Sequence, residues 1–222
     1  MPTYEGLRLK VLKCWRLGLA NYRKKKLRVT DFTIISNNCW GGMVYESYNL
    51  PKESPTVGMF FIAKDYIEFL SDLKGYVNGK LTFIKPEKSR WKDMPQISGD
   101  KRFGSYPIGV LSNGINTIEL FFLHYHSEKE AREKWERRIQ RINWNKLLIK
   151  FNHQNGCTET EVDEFMKLPY KNKLFFTCKQ WRNIQGGDTV IRQFPKHESI
   201  MASYEPFGKS KYINITSVIN QL

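Results

Sequence analysis

The chain shows two hydrophobic patterns, and one gives way to the other near residue 30. Before that point apolar residues recur at helical spacing with basic residues on the other faces, so residues 5–24 are predicted to form an amphipathic helix. After it, short apolar runs alternate with polar or helical stretches. We therefore divide the chain into a basic N-terminal segment, residues 1–30, and a folded domain, residues 31–222.

Short strands that alternate with helices are typical of an α/β domain. We predict a single domain with a mostly parallel sheet, helices on both of its faces and the basic helix at its N-terminus. The predicted strands are Phe32–Ser36, Thr56–Ala63, Leu81–Ile84, Ile108–Leu111, Thr117–Leu123, Leu147–Phe151 and Leu174–Cys178. The predicted helices are Lys64–Leu73, Glu128–Asn143 and Glu159–Leu168. Residues 86–107, rich in charge, Gly and Pro, are predicted to form a long loop.

The loop after the first predicted strand carries the residue types of an acyl-transfer site. Residues 32–42 read FTIISNNCWGG, so Asn37, Asn38 and Cys39 directly follow an apolar run. Ligands bind beyond the carboxyl ends of strands in open α/β sheets, so we expect this loop to line a ligand site. A deprotonated cysteine is a strong nucleophile, and amide groups stabilise a developing oxyanion. The alternative is a structural turn in which Trp40 packs and Cys39 is a small buried hydrophobe.

Two glycines and two histidines extend this hypothesis. Gly41 and Gly42 allow close backbone approach or positive φ, and their N–H groups would join the oxyanion site. His124 and His126 follow the apolar residues 118–123, again at a strand end, and either is a candidate general base or acid. Alternate residues of a strand point to opposite sides, so we expect one of the two to face the loop. A hydrogen-bonded structural histidine is the alternative.

The predicted helix Glu128–Asn143 carries Arg137, Arg138 and Arg141, which would match phosphate oxygens if they met a ligand. The alternative is a solvated basic face. We predict no metal site, because the four cysteines lie far apart and the histidines lack ligand spacing. The sequence lacks the nucleotide-binding and hydrolase motifs that contain glycine-rich loops, and it lacks the HExxH motif.

The net charge of +14 is concentrated at the N-terminus, where residues 1–30 hold nine Lys or Arg and one acid. Such a segment favours an anionic partner, which we expect to be a membrane surface bound by the helix and the cluster 23–26. A helix packed on the domain with a solvated basic face is the alternative. Nucleic acid fits the charge but is not our expectation, since no reader motif is present. Because no apolar run approaches about 18–20 residues, we expect a cytoplasmic protein, peripheral at the inner face of the membrane.

Several stretches together resemble one bacterial family, above all DFTIISNNCWGG and HYHSEKEAREKWERRIQRIN. The sequence resembles the domain-of-unknown-function 1919 family over roughly residues 25–215. Its members are commonly labelled exopolysaccharide or capsular polysaccharide biosynthesis proteins. The resemblance implies a role in making surface glycans, as a transferase, and assigns no catalytic residues.

Our leading hypothesis is acyl transfer to a hydroxyl of a glycan or lipid-linked glycan. Cys39 or a bound hydroxyl would be the nucleophile, with His124 or His126 as the base. The donor would be phosphorylated, such as an acyl-coenzyme A or a lipid-linked pyrophosphate, and its phosphates would bind the basic surface. The predicted substrate-binding residues are Asn37, Asn38, Trp40, Gly41, Gly42, Arg138 and Arg141. The alternatives are a metal-independent glycosyltransferase using a nucleotide sugar and a non-enzymatic, membrane-associated assembly partner.

Overall fold

The structure is a computed structural model that describes residues 4–182, 184 and 190–222, so residues 1–3 of the predicted basic segment lie outside it. The strands are β1 (Thr33–Ser36), β2 (Lys80–Ile84), β3 (Ile108–Ser112), β4 (Thr117–Phe121), β5 (Leu147–Asn152), β6 (Lys173–Thr177) and β7 (Val190–Arg192). The helices are α1 (Tyr4–Gly18), α2 (Ala20–Lys24), α3 (Trp40–Ser47), α4 (Ala63–Ser71), α5 (Leu73–Val77), α6 (Pro95–Ser98), α7 (Glu128–Ile139), α8 (Glu159–Lys167) and α9 (Ile215–Ile219).

The strands form two sheets rather than one. A four-stranded parallel sheet has the order β1-β5-β6-β7, and a three-stranded antiparallel sheet has the order β2-β3-β4. The α/β class is confirmed, but three predicted strands lie outside the parallel sheet. Only residues 113–116 separate β3 from β4, and a parallel pair needs a crossover of a dozen or more residues. That short link, with Gly114 at φ +94°, forces the antiparallel hairpin.

Two other element predictions are wrong, and a short strand and three helices lie where none was predicted. The stretch Thr56–Ala63 forms no strand: Gly58 adopts φ +81°, Phe60 makes one isolated bridge to Phe121, and Ala63 already begins α4. The predicted loop 86–107 contains a 3-10 turn and the short helix α6, both begun by prolines. Strand β7 and the helices α3, α5 and α9 were not predicted.

The parallel sheet is covered on both faces, as predicted. Neighbouring residues of a strand point to opposite faces, so Ile34 and Leu148 pack under α3 and α9. Ile35 and Ile149 enter the larger core, which holds α4, α7, α8 and the inner face of the antiparallel sheet. A strand that is buried on both faces consists of consecutive apolar residues. The predicted bounds of β1, β5 and β6 therefore lie within about one residue of the observed bounds.

The predicted N-terminal helix exists as α1 and α2, but its apolar stripe faces solvent. Leu7, Val11 and Trp15 are 56, 61 and 52% exposed. The opposite face, with Leu9, Leu12 and Arg16, is turned toward the domain and packs near α3. The helix therefore contacts the domain as the alternative prediction proposed, while the stripe that normally enters a core lies uncovered.

Candidate functional site

A cleft of about 730 Å³ opens at the carboxyl edge of the parallel sheet. Its walls come from α1, the loop after β1, the segment 95–102, the end of the antiparallel sheet and the residues after β5. A second cleft of about 390 Å³ adjoins it. Lys13, Arg16, Cys39, Met43 and His124 line both clefts, so these side chains form the wall between them.

Asn37 fixes the end of β1 to the end of β5. Its amide nitrogen donates to the side-chain and main-chain oxygens of Asn152, at 2.9 and 3.2 Å. Its side-chain oxygen accepts from the Asn152 backbone N–H at 3.1 Å. Because Asn37 has no exposed surface and both ends of its amide are engaged, it holds the loop in place.

Asn38 belongs to a buried charged network beneath the cleft. Its side-chain oxygen accepts from the N–H of Trp40, the first residue of α3, at 3.1 Å, and it also accepts from the Lys150 ammonium at 3.0 Å. Lys150 in turn donates to both carboxylate oxygens of Glu205, at 2.8 and 2.7 Å, and both side chains are fully buried. Burial lowers the pKa of Lys150, and the Glu205 charge opposes that effect. The network reaches the cleft wall through Asn38, whose amide nitrogen donates to the side-chain oxygen of Gln154 at 3.3 Å, because both residues line the cleft.

Trp40, Gly41 and Gly42 open α3 and face the core. Trp40 has no exposed surface, and its indole donates to the Pro206 carbonyl at 2.6 Å. A Cβ at Gly41 would lie 3.2 Å from Ile34, and one at Gly42 would lie 3.0 Å from Val57. Gly41 therefore allows close approach of α3 to β1, and Gly42 allows close approach of α3 to the segment that contains Val57, both with helical rather than positive φ. Of the three, Gly42 also lines the smaller cleft.

Cys39 lies at the N-terminus of α3 and contributes to both clefts. Burial raises the pKa of its thiol to about 11, and the nearby Lys150 charge opposes this only in part. The sulfur donates to the Met59 carbonyl at 3.9 Å. At pH 7 such a thiol is ionised in only about one molecule in ten thousand. The predicted nucleophile is thus in position but protonated.

His124 is the histidine that the structure brings to Cys39. It lines the same two clefts, and its backbone N–H donates to the Gly58 carbonyl at 3.0 Å. Partial burial, and then the positive charges of Arg102 and Lys52, lower its pKa, so the imidazole is neutral at pH 7. His126 lies outside the lining of both clefts, and its backbone N–H donates to the Glu130 carboxylate.

The cleft is basic, and its most unusual cation was not predicted. Arg16 is almost fully buried, its Nε has no hydrogen-bond partner among the described residues, and Glu46 approaches its guanidinium only to 3.7 Å. Burial lowers the pKa of Arg16. Lys13 and Arg102 line the larger cleft beside it. The sequence held a signal for Arg16: it continues the spacing of Leu9 and Leu12 on the inner face of α1.

The two predicted phosphate-binding arginines lie apart. Arg138 lines the smaller cleft, where its guanidinium donates to the Val57 carbonyl and the Tyr125 hydroxyl, at 3.2 and 2.5 Å. Arg141 pairs with Glu53 at 3.6 Å and borders a different cavity. Arg138 alone is therefore close enough to the Cys39–His124 wall to influence a ligand there.

The described residues hold no cluster of three His, Cys, Asp or Glu side chains arranged to bind a metal ion. Over the same part of the chain, no helix has the length and apolar character needed to cross a bilayer.

Comparison with known proteins places the sequence in a family. Residues 12–222 match the family described as Domain of unknown function (DUF1919). An uncharacterized protein of Haemophilus influenzae is 32% identical over 208 residues, covering 94% of this chain and 91% of that relative. The match confirms the family that the NNCWGG and HYHSEKEAREKW segments indicated. The chain is a member of the DUF1919 family.

Proposed function

We propose that the protein is a transferase of cell-surface polysaccharide assembly that takes a phosphorylated donor in the basic cleft and transfers an acyl group to a glycan hydroxyl. The observation that carries the proposal is the convergence of Arg16 and His124 on the same cleft wall. Arg16 is buried and its Nε has no acceptor among the described residues, so the phosphate of a donor would supply one. The polysaccharide context is the one implied by the sequence resemblance.

His124 is proposed to act as the general base. Its neutral imidazole accepts the proton of the acceptor hydroxyl as that oxygen attacks the thioester carbonyl. The carbon–sulfur bond then breaks, and the proton passes from His124 to the departing thiolate. Cys39, protonated at neutral pH, forms the cleft wall in this direct transfer and carries no acyl group.

The raised pKa of Cys39 also favours a second candidate, the metal-independent glycosyltransferase, in which Cys39 only packs. Thermal-shift assays separate the two candidates. A donor at about 100 times its Kd stabilises the fold by about 2.7 kcal/mol, or roughly 5–10 °C for a chain of this size. Stabilisation by coenzyme A or acetyl-coenzyme A supports acyl transfer, whereas stabilisation by nucleoside diphosphates alone supports glycosyl transfer.

Two matched histidine variants test the base. With the donor identified, His124→Gln should lower kcat by about 10²–10⁴-fold, while His126→Gln should leave it within about twofold. Because the pKa of His124 is lowered, activity should decline only as the pH falls below about 6.5, where the imidazole begins to bind a proton. Equal effects of the two substitutions would rule out His124 as the base. Cys39→Ala should retain turnover, and its loss would restore the cysteine mechanism.

We further propose that α1 holds the protein on an anionic membrane surface. Leu7 and Val11 are more than half exposed, and Lys10 lies beside them on the same helix. An amphipathic helix with an exposed apolar face and flanking cations suits the lipid headgroup region. Lys24 at the end of α2 and Lys25 and Lys26 just after it are exposed and add positive charge.

Vesicle binding tests this attachment. Anionic vesicles should bind the protein at low salt and release it as salt shortens the screening length to about 8 Å at physiological strength. Leu7→Gln with Val11→Gln should weaken binding without lowering the Tm, because both side chains are already exposed. Ile115→Gln is the matched control, since Ile115 is 87% exposed but lies outside α1. Failure to bind anionic vesicles at low salt would refute the attachment.

A further inference from the structure

A groove of about 440 Å³ runs between the N-terminal helices and the C-terminal segment of the chain. We call it the terminal groove and define it by the lining residues on which its chemistry depends: Arg8, Trp15, Lys26, Gln193, Tyr204 and Lys209. It lies across α1 from the basic cleft, and the two share only Leu12 and Ser203 among their lining residues.

The cations of the terminal groove lack carboxylate partners. Within the described ranges, no carboxylate comes within ion-pair distance of Arg8, Lys26 or Lys209. Arg8 instead lies over the Tyr204 ring, 4.6 Å from its centre, and Lys26 lies 4.1 Å from the centre of Tyr22. Among the described residues, the only acid in the lining is Glu205, which Lys150 already neutralises. Glu5 accepts a hydrogen bond from the Tyr204 hydroxyl nearby. With Arg8, Lys26 and Lys209 against Glu5, the described part of the groove carries net positive charge.

Gln193 contributes a hydrogen-bonding group that the protein itself does not use. It follows β7, is 1% exposed and lines the groove. Neither the nitrogen nor the oxygen of its side-chain amide has a hydrogen-bond partner in the described part of the chain. Buried amides in folded proteins are almost always paired, so an unpaired one indicates a group that is satisfied by something else.

The groove opens onto the exposed apolar stripe of the N-terminal helices. Trp15, Leu19 and Tyr22 belong to the stripe and also line the groove. An occupant therefore meets hydrocarbon-like surface at the mouth and positive charge beside it. A small water-soluble anion would contact only the cations. A lipid with a charged head group would contact both the cations and the apolar side chains.

We propose that the terminal groove binds the phosphate-monoester head group of a membrane lipid. The guanidinium of Arg8 and the ammonium groups of Lys26 and Lys209 bind the phosphate oxygens, and Gln193 hydrogen-bonds the polar part of the head group. The hydrocarbon chains remain in the bilayer against the stripe. This inference rests on the proposed membrane attachment and adds a specific site to it.

The test compares two lipids at equal surface charge. Full-length protein is sedimented with phosphatidylcholine vesicles that contain either phosphatidic acid, a phosphate monoester, or phosphatidylglycerol, a diester, adjusted to the same zeta potential. We expect at least fivefold tighter binding to the phosphatidic acid vesicles. Lys26→Gln should abolish that preference. Lys25→Gln removes the same charge one residue away and outside the groove. It should weaken binding to both vesicle types by about fivefold and keep the preference for phosphatidic acid.

Gln193→Met provides a second variant with an independent readout. Because the amide has no hydrogen-bond partner among the described residues, we expect the Tm of the variant to equal or exceed that of the wild type. Its preference for phosphatidic acid should fall. A lowered Tm would assign Gln193 a structural role and overturn its part in the site.

The remaining outcomes distinguish the lipid site in the terminal groove from the general membrane attachment. Equal binding to the two vesicle types overturns the groove site and leaves the membrane attachment standing. No binding to either overturns both. Stabilisation by inorganic phosphate alone, without a vesicle preference, assigns the groove to a free anion and overturns the lipid proposal.

Discussion

The buried ion pair beneath the cleft gives the most decisive test of the fold. Lys150→Met removes the cation and leaves the Glu205 carboxylate, which is fully buried, with the amides of Asn38 and Asn152 as its remaining donors among the described residues. Removing one partner of a buried pair costs about 3–5 kcal/mol. A chain of this length loses about 2–4 °C of Tm per kcal/mol, so we expect a drop of about 6–20 °C.

The assay is thermal unfolding followed by circular dichroism at pH 7, where Lys150, whose pKa burial lowers to about 8, is still mostly protonated in the wild type. Lys146→Met is the matched control: Lys146 pairs with Asp31 at 2.6 Å on the surface, and such pairs contribute only about 0–1 kcal/mol. Lys150→Met with Glu205→Met should recover much of the loss. Equal Tm shifts for the two single lysine variants would refute the reasoning.

Two further predictions concern the thiol and a close backbone contact. Burial raises the pKa of Cys39 to about 11, so iodoacetamide should modify it more slowly than the exposed Cys14 at pH 8, and its rate should keep rising toward pH 11. Peptide mass spectrometry measures both rates, and equal rates at pH 8 would contradict the burial. Gly79→Ala should destabilise the fold by about 1–3 kcal/mol in urea unfolding, since its Cβ would lie 2.0 Å from the Ser112 carbonyl oxygen. Gly18→Ala, with no atom within 4 Å, should cause no loss.

The fold class followed from local pattern, and the sheet arrangement did not. The runs that became β1, β5 and β6 are apolar throughout because both faces of the parallel sheet are covered. The strands β2, β3 and β4 looked the same in sequence, and their antiparallel pairing depends on how short a link joins them. The three residues of β7 are too few to show any periodicity.

The place of the loop after β1 was predicted, and the network beneath the loop was not. Asn37, Asn38 and Cys39 do follow β1 at the carboxyl edge, because chain order alone places them there. The partner of Lys150 lies 55 residues further along the chain, and no spacing rule links it to the loop. Trp40 was predicted to contact substrate because the helix that buries it was not recognised.

The helix α1 has one consequence for how a substrate would reach the cleft. Its outer face carries Leu7 and Val11, and its inner face supplies Leu9 and Lys13 to the cleft wall. A helix with its side chains is about 10–12 Å across, so a protein adsorbed through the outer face holds its cleft about one helix diameter from the headgroups. A substrate anchored in the bilayer would then arrive by two-dimensional diffusion. The reaction rate would depend on the mole fraction of the substrate in the membrane. It would fall when inert lipid dilutes the substrate in the bilayer, even at constant bulk concentration.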